Sequence, residues 1–335
     1  SACSEVREHI EENLRLFNGT KGDPKSFDLL DGLMNEQIYR LSHWRVATEE
    51  INYRRFFDIN GLGAIRMEHP AVFAATHALI FRLIREGSVT GLRVDHPDGL
   101  YNPVEYFHRL QRGCFVQQNL SQSAGQHDLP PLAGAEQALA QQYDENVLAD
   151  PGYKPFYVVG EKILLKSERM PEDWPIFSTT GYVFVNSVSG IFIDGEQAKT
   201  FDAIYEKFIG SKIDVQDVIY EKKKLVMQVS MSSEVNMLGH YLNDLSEKDR
   251  HTRDFTLYSL RSTIIEVIAS FPVYRTYANS WLVNDRDRQI VELAVSKAKR
   301  KNPAISGSIF DFLKEVLLLR FPKDFSDENK TEWLD

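Results

Sequence analysis

Two acidic residues, Asp95 and Glu161, each follow a segment of strand length and are the strongest candidates for chemistry in this sequence. Residues 90–94 can form an extended segment, which the Pro-Asp-Gly sequence at 97–99 ends. Residues 155–160 form a continuous apolar run that stops directly before Glu161. Both carboxylates are therefore expected at the ends of strands.

Arg93 precedes Asp95 by two residues, so the two side chains are expected on one face of a strand, because side chains alternate along it. Leu92 and Val94 would then pack on the opposite face. A guanidinium favours the ionised form of a neighbouring carboxylate, which suits a nucleophile better than a general acid. The pattern therefore predicts a charge-paired nucleophile at Asp95.

The relative position of the two carboxylates decides which reaction they could perform. If the two strands are parallel neighbours, about 4.8 Å apart, Asp95 and Glu161 emerge side by side at the carboxyl edge, where barrel enzymes hold their catalytic groups. Carboxyl groups about 5 to 5.5 Å apart suit retaining glycosyl transfer, with Asp95 as nucleophile and Glu161 as acid and base. From spacing alone, two ordinary polar strand ends are the simpler interpretation.

A metal site is the alternative chemistry, because Asp95, His96 and Asp98 lie within four residues of one another. Hard cations need several more oxygen ligands, and structural zinc needs Cys or His partners that the neighbouring sequence lacks. We therefore predict no metal and no cofactor. His96 is expected to orient the nucleophile, to bind a hydroxyl group, or simply to end the strand.

Aromatic rings and guanidinium groups alternate between residues 37 and 58, and this density could form a sugar-binding platform. Aromatic faces can stack on a pyranose ring while Arg and Asn donate hydrogen bonds to its hydroxyls. For any single residue, an aromatic core with snorkelling arginines is the commoner arrangement. The predicted sugar-binding residues in this stretch are Tyr53, Arg55 and Phe57.

Composition and charge exclude several classes of protein. With 335 residues, of which 43% are hydrophobic, the chain can bury a large core in one or two domains. A net charge of -9 argues against a nucleic-acid or phosphate-binding surface. Cys3 and Cys114 lack metal-like spacing and are expected as reduced thiols. Neither an apolar run of about 20 residues nor a signal pattern is evident, so a cytoplasmic protein is expected.

Hydrophobic periodicity predicts an α/β half followed by a helical half. A helical approach segment is expected in residues 1–50, then an α-β-α unit over residues 70–112 and a polar surface insertion at 117–126. A hairpin around Ser189-Gly190 is expected within residues 182–193. The remaining amphipathic patterns predict helices near 197–209, 214–246, 253–270, 284–301 and 307–320.

Several blocks of this sequence resemble the maltooligosyltrehalose synthases of the α-amylase superfamily, in the family's order. A Gly-x-Arg-x-Asp motif alone would indicate only the superfamily, and the other blocks narrow the resemblance. It extends from about residue 30 to at least residue 320. The blocks are Gln37–Arg45, Asn52–Asp58, Gly91–Leu100, Glu161–Leu164, Trp174–Pro175, Thr179–Tyr182, Arg253–Phe255 and Phe271–Tyr277.

The resemblance implies a partial (β/α)8 barrel and conversion of the reducing-end α-1,4 bond of a maltooligosaccharide into an α,α-1,1 bond. It makes Asp95 the nucleophile and Glu161 the acid and base, without a metal. The implied substrate contacts are Arg93, His96, Asp98, Tyr53, Arg55, Phe57, Lys162 and Tyr182. Two alternatives stay open: another glycoside hydrolase or transglycosylase of the superfamily, and an inactive glucan-binding fragment.

One feature departs from the family pattern, which places a third carboxylate in a His-Asp pair on a later strand. The only such pair here is His127-Asp128, which lies in the wrong context. We therefore expect a central segment of the family's fold. Residues 1–195 would form part of the catalytic barrel with an insertion at 113–150, residues 196–322 an inserted helical domain, and residues 323–335 a polar tail. An incomplete sheet would favour self-association.

Overall fold

The computed structural model describes residues 3–123, 132–165, 168–278 and 283–320. Its strands are β1 (Arg55–Phe56), β2 (Ile59–Gly63), β3 (Gly91–Val94), β4 (Tyr157–Gly160) and β5 (Ser178–Thr179). Its helices are α1 (Ser4–Asn18), α2 (Asp28–Asn35), α3 (Pro70–Arg85), α4 (Pro103–Ser123), α5 (Leu132–Ala149), α6 (Tyr182–Ile191), α7 (Ala198–Ile209), α8 (Val215–Val229), α9 (Ser232–Glu247), α10 (Leu257–Ser270), α11 (Asp285–Lys301) and α12 (Gly307–Leu317).

The α/β half is built on a parallel sheet with the strand order β3-β4-β5. The predicted unit of helix, strand and helix is confirmed as α3, β3 and α4. Pro70 begins α3, where its missing N–H costs nothing. Gly87 follows the end of α3 with a φ of 73°, a left-handed conformation that glycine adopts readily. With three short strands described, the sheet fits an α/β fold, and the partial barrel stays a prediction.

The core of the α/β half holds β4 in place through both apolar packing and hydrogen bonds. Val158 of β4 and Phe107 of α4 are fully buried in this core. Gln111, also buried, donates from Nε2 to the carbonyl oxygens of Phe156 and Pro175 at 2.9 and 2.8 Å. Its Oε1 accepts from the Phe156 N–H. The buried Gln111 amide loses little by leaving water, because its oxygen and its nitrogen both make hydrogen bonds. These bonds also fix the start of β4.

The helical half has a separate core formed by α9, α10, α11 and α12. The predicted helices of this half are confirmed, with one refinement: the pattern at 214–246 is two helices, α8 and α9, that separate at Ser230 and Met231. Leu260, Ala294 and Phe310 are completely buried in this core. Within the described residues, no helix combines the length and apolar character needed to span a membrane.

Two sequence-based expectations about local structure are wrong. The expected hairpin at 182–193 is helix α6, in which the Ser187 hydroxyl donates to the Val183 carbonyl oxygen inside the helix. The polar stretch from residue 117 is not a loop at its start, because α4 continues to Ser123. Gln117 accepts a hydrogen bond from Arg85 of α3 at 2.6 Å, so its polarity serves a contact between helices. Residues 124–126 of the expected insertion lie outside the described residues.

Candidate active site

Strands β3 and β4 are parallel neighbours, which meets the condition set in the sequence analysis, and they bring Asp95 and Glu161 together. Val94 pairs with Gly160 at the ends of the strands, and the Glu161 N–H donates to the Val94 carbonyl oxygen at 2.8 Å. The next residue of each chain is therefore held at the same edge. A carboxylate oxygen of Asp95 and one of Glu161 lie within 4.8 Å of each other.

Arg93 pairs with both carboxylates. Its Nη2 lies 2.7 Å from Asp95 Oδ1 and 3.4 Å from Glu161 Oε1. Two carboxylates this close would repel each other if both were ionised, and the guanidinium between them reduces that repulsion. Arg93 therefore bridges the two acids at the strand ends.

The environments of the two carboxylates differ. The side chain of Asp95 is 56% exposed, whereas that of Glu161 is 19% exposed. Glu161 Oε2 is buried and accepts no hydrogen bond among the described residues, with His96 Nε2 at 3.7 Å. Asp95 is thus accessible from solvent at the strand ends, whereas Glu161 keeps one buried carboxylate oxygen without a hydrogen bond among the described residues.

His96 is held in a strained conformation against two aromatic rings. It has a φ of 47°, and Phe57 has a φ of 52°, which are unusual values for residues other than glycine. The His96 ring makes edge-to-face contacts with Phe56 and Phe57, at centroid distances of 4.9 and 5.6 Å. The imidazole Nε2 lies 3.7 Å from Glu161 Oε2, and Phe57, 51% exposed, lies against the His96 ring.

Arg55 anchors the hairpin that carries these rings, rather than reaching a sugar as the sequence suggested. Its side chain is 3% exposed and binds both carboxylate oxygens of Glu234 on α9, at 2.8 and 2.9 Å. Arg55 also donates to Asn60 Oδ1 at 2.9 Å. With its donors taken up inside the protein, Arg55 fixes the β1-β2 hairpin to α9.

Lys162 and Asp98 are also directed inward, in contrast to the predicted substrate contacts. The Lys162 ammonium is fully buried and lies 3.3 Å from Asp98 and 2.9 Å from Glu168. The Tyr277 hydroxyl donates a hydrogen bond to Asp98, and Arg275 Nη1 donates to the Asp98 carbonyl oxygen at 2.8 Å. These contacts lock together the chain segments that follow β3 and β4.

The phenol of Tyr277 is suited to this donor role, because burial, followed by its hydrogen bond to Asp98, raises its pKa and keeps the proton on the oxygen. Sequence reasoning assigned no role to Tyr277 or Arg275. The signal was present in the block at 271–277, where both residues occur in the resemblance to the family. Glu168 and Glu234 carried no comparable signal.

The remaining predicted residues lie around the carboxylates in different ways. Tyr53 is 45% exposed and its hydroxyl donates to the Asn60 carbonyl oxygen at 2.7 Å, so its ring stands at the side of the hairpin. Tyr182 begins α6 just beyond β5, and β5 runs parallel to β4. Tyr182 therefore follows the same edge of the sheet as Glu161.

A metal ion could in principle bind Asp95, His96 and Glu161, since each offers a ligand atom within 4.8 Å of the others. Arg93 already contributes a positive charge to both carboxylates at this position. A cation there would have to displace or tolerate the guanidinium. The donor set therefore fits a charge-balanced acid pair better than a metal centre.

Comparison with known proteins identifies relatives of one kind. No family model matches the chain. Two proteins of Mycobacterium tuberculosis, from strains CDC 1551 and H37Rv, each described as a "Putative maltooligosyl trehalose synthase", are 29% identical over 184 residues, which are 55% of this chain and 18% of the relative. The chain thus spans about a fifth of the length of these curated relatives.

Solved structures agree with the sequence relatives. The maltooligosyltrehalose synthase from Arthrobacter ramosus superposes with a TM-score of 0.63 at 27% identity, over 94% of this chain and 33% of that one. A "DSM5389 glycosyltrehalose synthase" gives a TM-score of 0.55 at 26% identity, over 87% of this chain and 31% of that one. The resemblance predicted from the sequence blocks is confirmed in both sequence and structure.

Proposed function

We propose that Asp95 and Glu161 carry out retaining glycosyl transfer on a maltooligosaccharide, because the chain resembles part of a maltooligosyltrehalose synthase in sequence and structure. The reducing-end α-1,4 bond is converted into an α,α-1,1 bond. The single observation that carries this proposal is the carboxylate pair within 4.8 Å at the ends of adjacent parallel strands. Inverting enzymes need about 6.5 Å or more to admit a water molecule between the two groups.

The difference in exposure between the two acids supports a division of roles. Asp95, exposed and ion-paired, attacks C1 of the penultimate glucose unit, and the C1–O4 bond breaks as Glu161 gives its proton to O4. The terminal glucose is released from the chain but stays in the site. Glu161 then takes the proton from the C1 hydroxyl of that glucose, whose oxygen attacks C1 of the glycosyl-enzyme and frees Asp95.

Isomerisation and hydrolysis share this covalent intermediate and differ in what attacks it. Retention of the released glucose and exclusion of water give the trehalose-type product, whereas entry of water gives a hydrolase. The 56% exposure of the Asp95 side chain is the specific observation that favours hydrolysis as the second candidate. Measurement of the products separates the two.

The test is incubation of the chain with maltopentaose while reducing ends and free glucose are followed together. We expect reducing ends to disappear without an equivalent release of glucose. Asp95→Asn should abolish this conversion because the covalent bond to C1 cannot form, and Glu161→Gln should abolish it because O4 is not protonated. We expect losses of about a thousandfold or more, corresponding to about 4 kcal/mol of transition-state stabilisation.

The outcomes point to different functions. Glucose and shorter sugars, with reducing ends increasing, would indicate a hydrolase or transglycosylase. Equal maltooligosaccharide binding by wild type and Asp95→Asn, with turnover by neither, would indicate a glucan-binding module instead. Tyr258→Ala is a matched control, since this residue is 82% exposed on α10, in the helical half.

A further inference from the structure

A concave surface lies between residues 40–53 and helix α9. This cleft has a volume of about 1110 Å³, and neither Asp95 nor Glu161 lines it. Pockets for small ligands commonly hold about 300 to 1,000 Å³. The cleft is therefore large enough for several linked sugar units, and the reaction described above does not use it.

Hydrogen bonds to α9 hold the wall of this cleft in shape. The Ser232 hydroxyl donates to the Thr48 carbonyl oxygen at 2.5 Å, and Asn236 Nδ2 donates to the Glu49 carbonyl oxygen at 3.1 Å. The backbone of residues 44–50 is thus attached to a helix at two points. A surface that is already formed loses less conformational entropy when a ligand binds.

Trp44 is the largest side chain that lines the cleft, and it is 66% exposed. The indole contacts the Arg45 guanidinium, whose carbon lies 5.2 Å from the ring centroid, and the His43 ring, whose centroid lies 5.6 Å away, and it is exposed despite both contacts. Tyr53, 45% exposed, lines the same cleft. Exposed aromatic rings are costly to leave in water and are suited to stacking on the apolar face of a sugar ring.

The charges around the cleft favour a neutral ligand. Arg40 and Arg45 are matched by Glu49 and Glu50, so neither sign dominates the lining. An anionic ligand would meet the two glutamates and a cationic one the two arginines. Asn52 adds an amide, which can donate to and accept from hydroxyl groups.

The cleft is connected to the carboxylates through the β1-β2 hairpin. Tyr53 and Asn60 line the cleft, whereas Phe56 and Phe57 of the same hairpin contact His96. One side of the β1-β2 hairpin therefore faces the cleft, and the other side faces His96 beside the carboxylates.

We propose that this cleft binds a neutral α-glucan chain through Trp44, at a site separate from Asp95 and Glu161. That the ligand is an α-glucan rests on the proposed function, whereas its being a neutral sugar rests on the lining of the cleft. The cleft holds the chain whether or not the carboxylates react with it. Trp44 is its main stacking surface.

Isothermal titration with maltoheptaose tests this site, with the Asp95→Asn variant as the parent so that the ligand is not consumed. We expect Trp44→Ala to raise the dissociation constant about tenfold, which is about 1.4 kcal/mol of binding free energy. Tyr258→Ala, which removes an exposed aromatic ring on α10, should leave the constant unchanged. Thermal unfolding of both variants should match that of the parent.

Equal affinity of Trp44→Ala and Tyr258→Ala for maltoheptaose would overturn the proposal, as would an Asp95→Asn parent that does not bind the sugar. Failure of the proposed function gives a different pattern. If wild type does not convert maltopentaose but Trp44→Ala weakens binding, the cleft stands and the catalytic assignment falls. If conversion depends on Asp95 and Glu161 but binding ignores Trp44, the reverse holds.

Discussion

At the scale of single residues, the account rests on how charge is distributed around two acids. Arg93 bridges Asp95 and Glu161, and the strained His96 faces the more buried of the two. A second pair of acids, Asp98 and Glu168, lies nearby. Both are shielded from solvent, and the buried Lys162 lies between them. Two residues that are adjacent in the sequence therefore face different ways: Glu161 faces the candidate site, and Lys162 faces the core.

Replacement of Lys162 tests this division. Lys162→Met leaves the carboxylates of Asp98 and Glu168, which are 14% and 1% exposed, without their common cation. We expect the free energy of unfolding to fall by about 3 kcal/mol, as is typical when one partner of a buried ion pair is removed. Urea denaturation measures the change. Lys222→Met, at an exposed position on α8, should change stability by less than about 0.5 kcal/mol.

The positions of Asp95 and Glu161 follow from short stretches of sequence, whereas the contacts of Arg55 and Lys162 do not. Asp95 and Glu161 each follow a strand-like run, and the carboxyl ends of neighbouring parallel strands meet at one edge. Arg55 was predicted to bind sugar from the aromatic rings and guanidinium groups around it, and Lys162 from its block in the resemblance to the family. Glu234, the partner of Arg55, is 179 residues away in the sequence, and Asp98 is 64 residues from Lys162, and periodicity carries no information about such pairing.

At the scale of elements, the β1-β2 hairpin connects α9 to the candidate active site. Arg55 binds Glu234 on one side, and Phe56 and Phe57 press on His96 on the other. Although partial burial alone would raise the pKa of Glu234, hydrogen bonds from Ser233 and Arg55 outweigh it and lower this pKa. The hairpin is therefore attached by a carboxylate that must stay ionised.

This attachment predicts a particular dependence of stability on pH. Because the folded protein lowers the pKa of Glu234, its contribution is complete above the ordinary value of 4.5 and is lost as the pH falls toward the lowered value. Glu234→Gln should cost about 2 kcal/mol at neutral pH, the usual loss of a hydrogen bond to a charged group. Its stability should then decline less than that of wild type on acidification.

Urea midpoints at about pH 7 and pH 4 measure both effects. Glu221→Gln, an exposed substitution on α8, serves as the matched control and should follow wild type at both pH values. A Glu234→Gln variant that is as stable as wild type at neutral pH, or that loses as much stability in acid, would contradict the role given to this ion pair.

At the scale of the whole molecule, the loop at 271–277 joins the two cores. Phe271 packs against the helical core, and Tyr277 packs against the α/β core and donates to Asp98. The Tyr277 N–H is in turn held by Asp287 of α11 at 3.1 Å. The helical half therefore contributes directly to the support beneath the strand ends, which the periodicity of either half alone would not indicate.

The proposed reaction requires a covalent bond between Asp95 and the sugar, and the intact mass of Glu161→Gln after reaction with α-maltosyl fluoride tests for that bond. Fluoride leaves without needing a proton, so Asp95 can bond to C1. The missing base should slow the release of the sugar. We predict a mass increase of one maltosyl group, located on the peptide that contains Asp95 and absent from the Asp95→Asn/Glu161→Gln double variant. A label on another residue, or turnover of the fluoride by Asp95→Asn, would contradict the account.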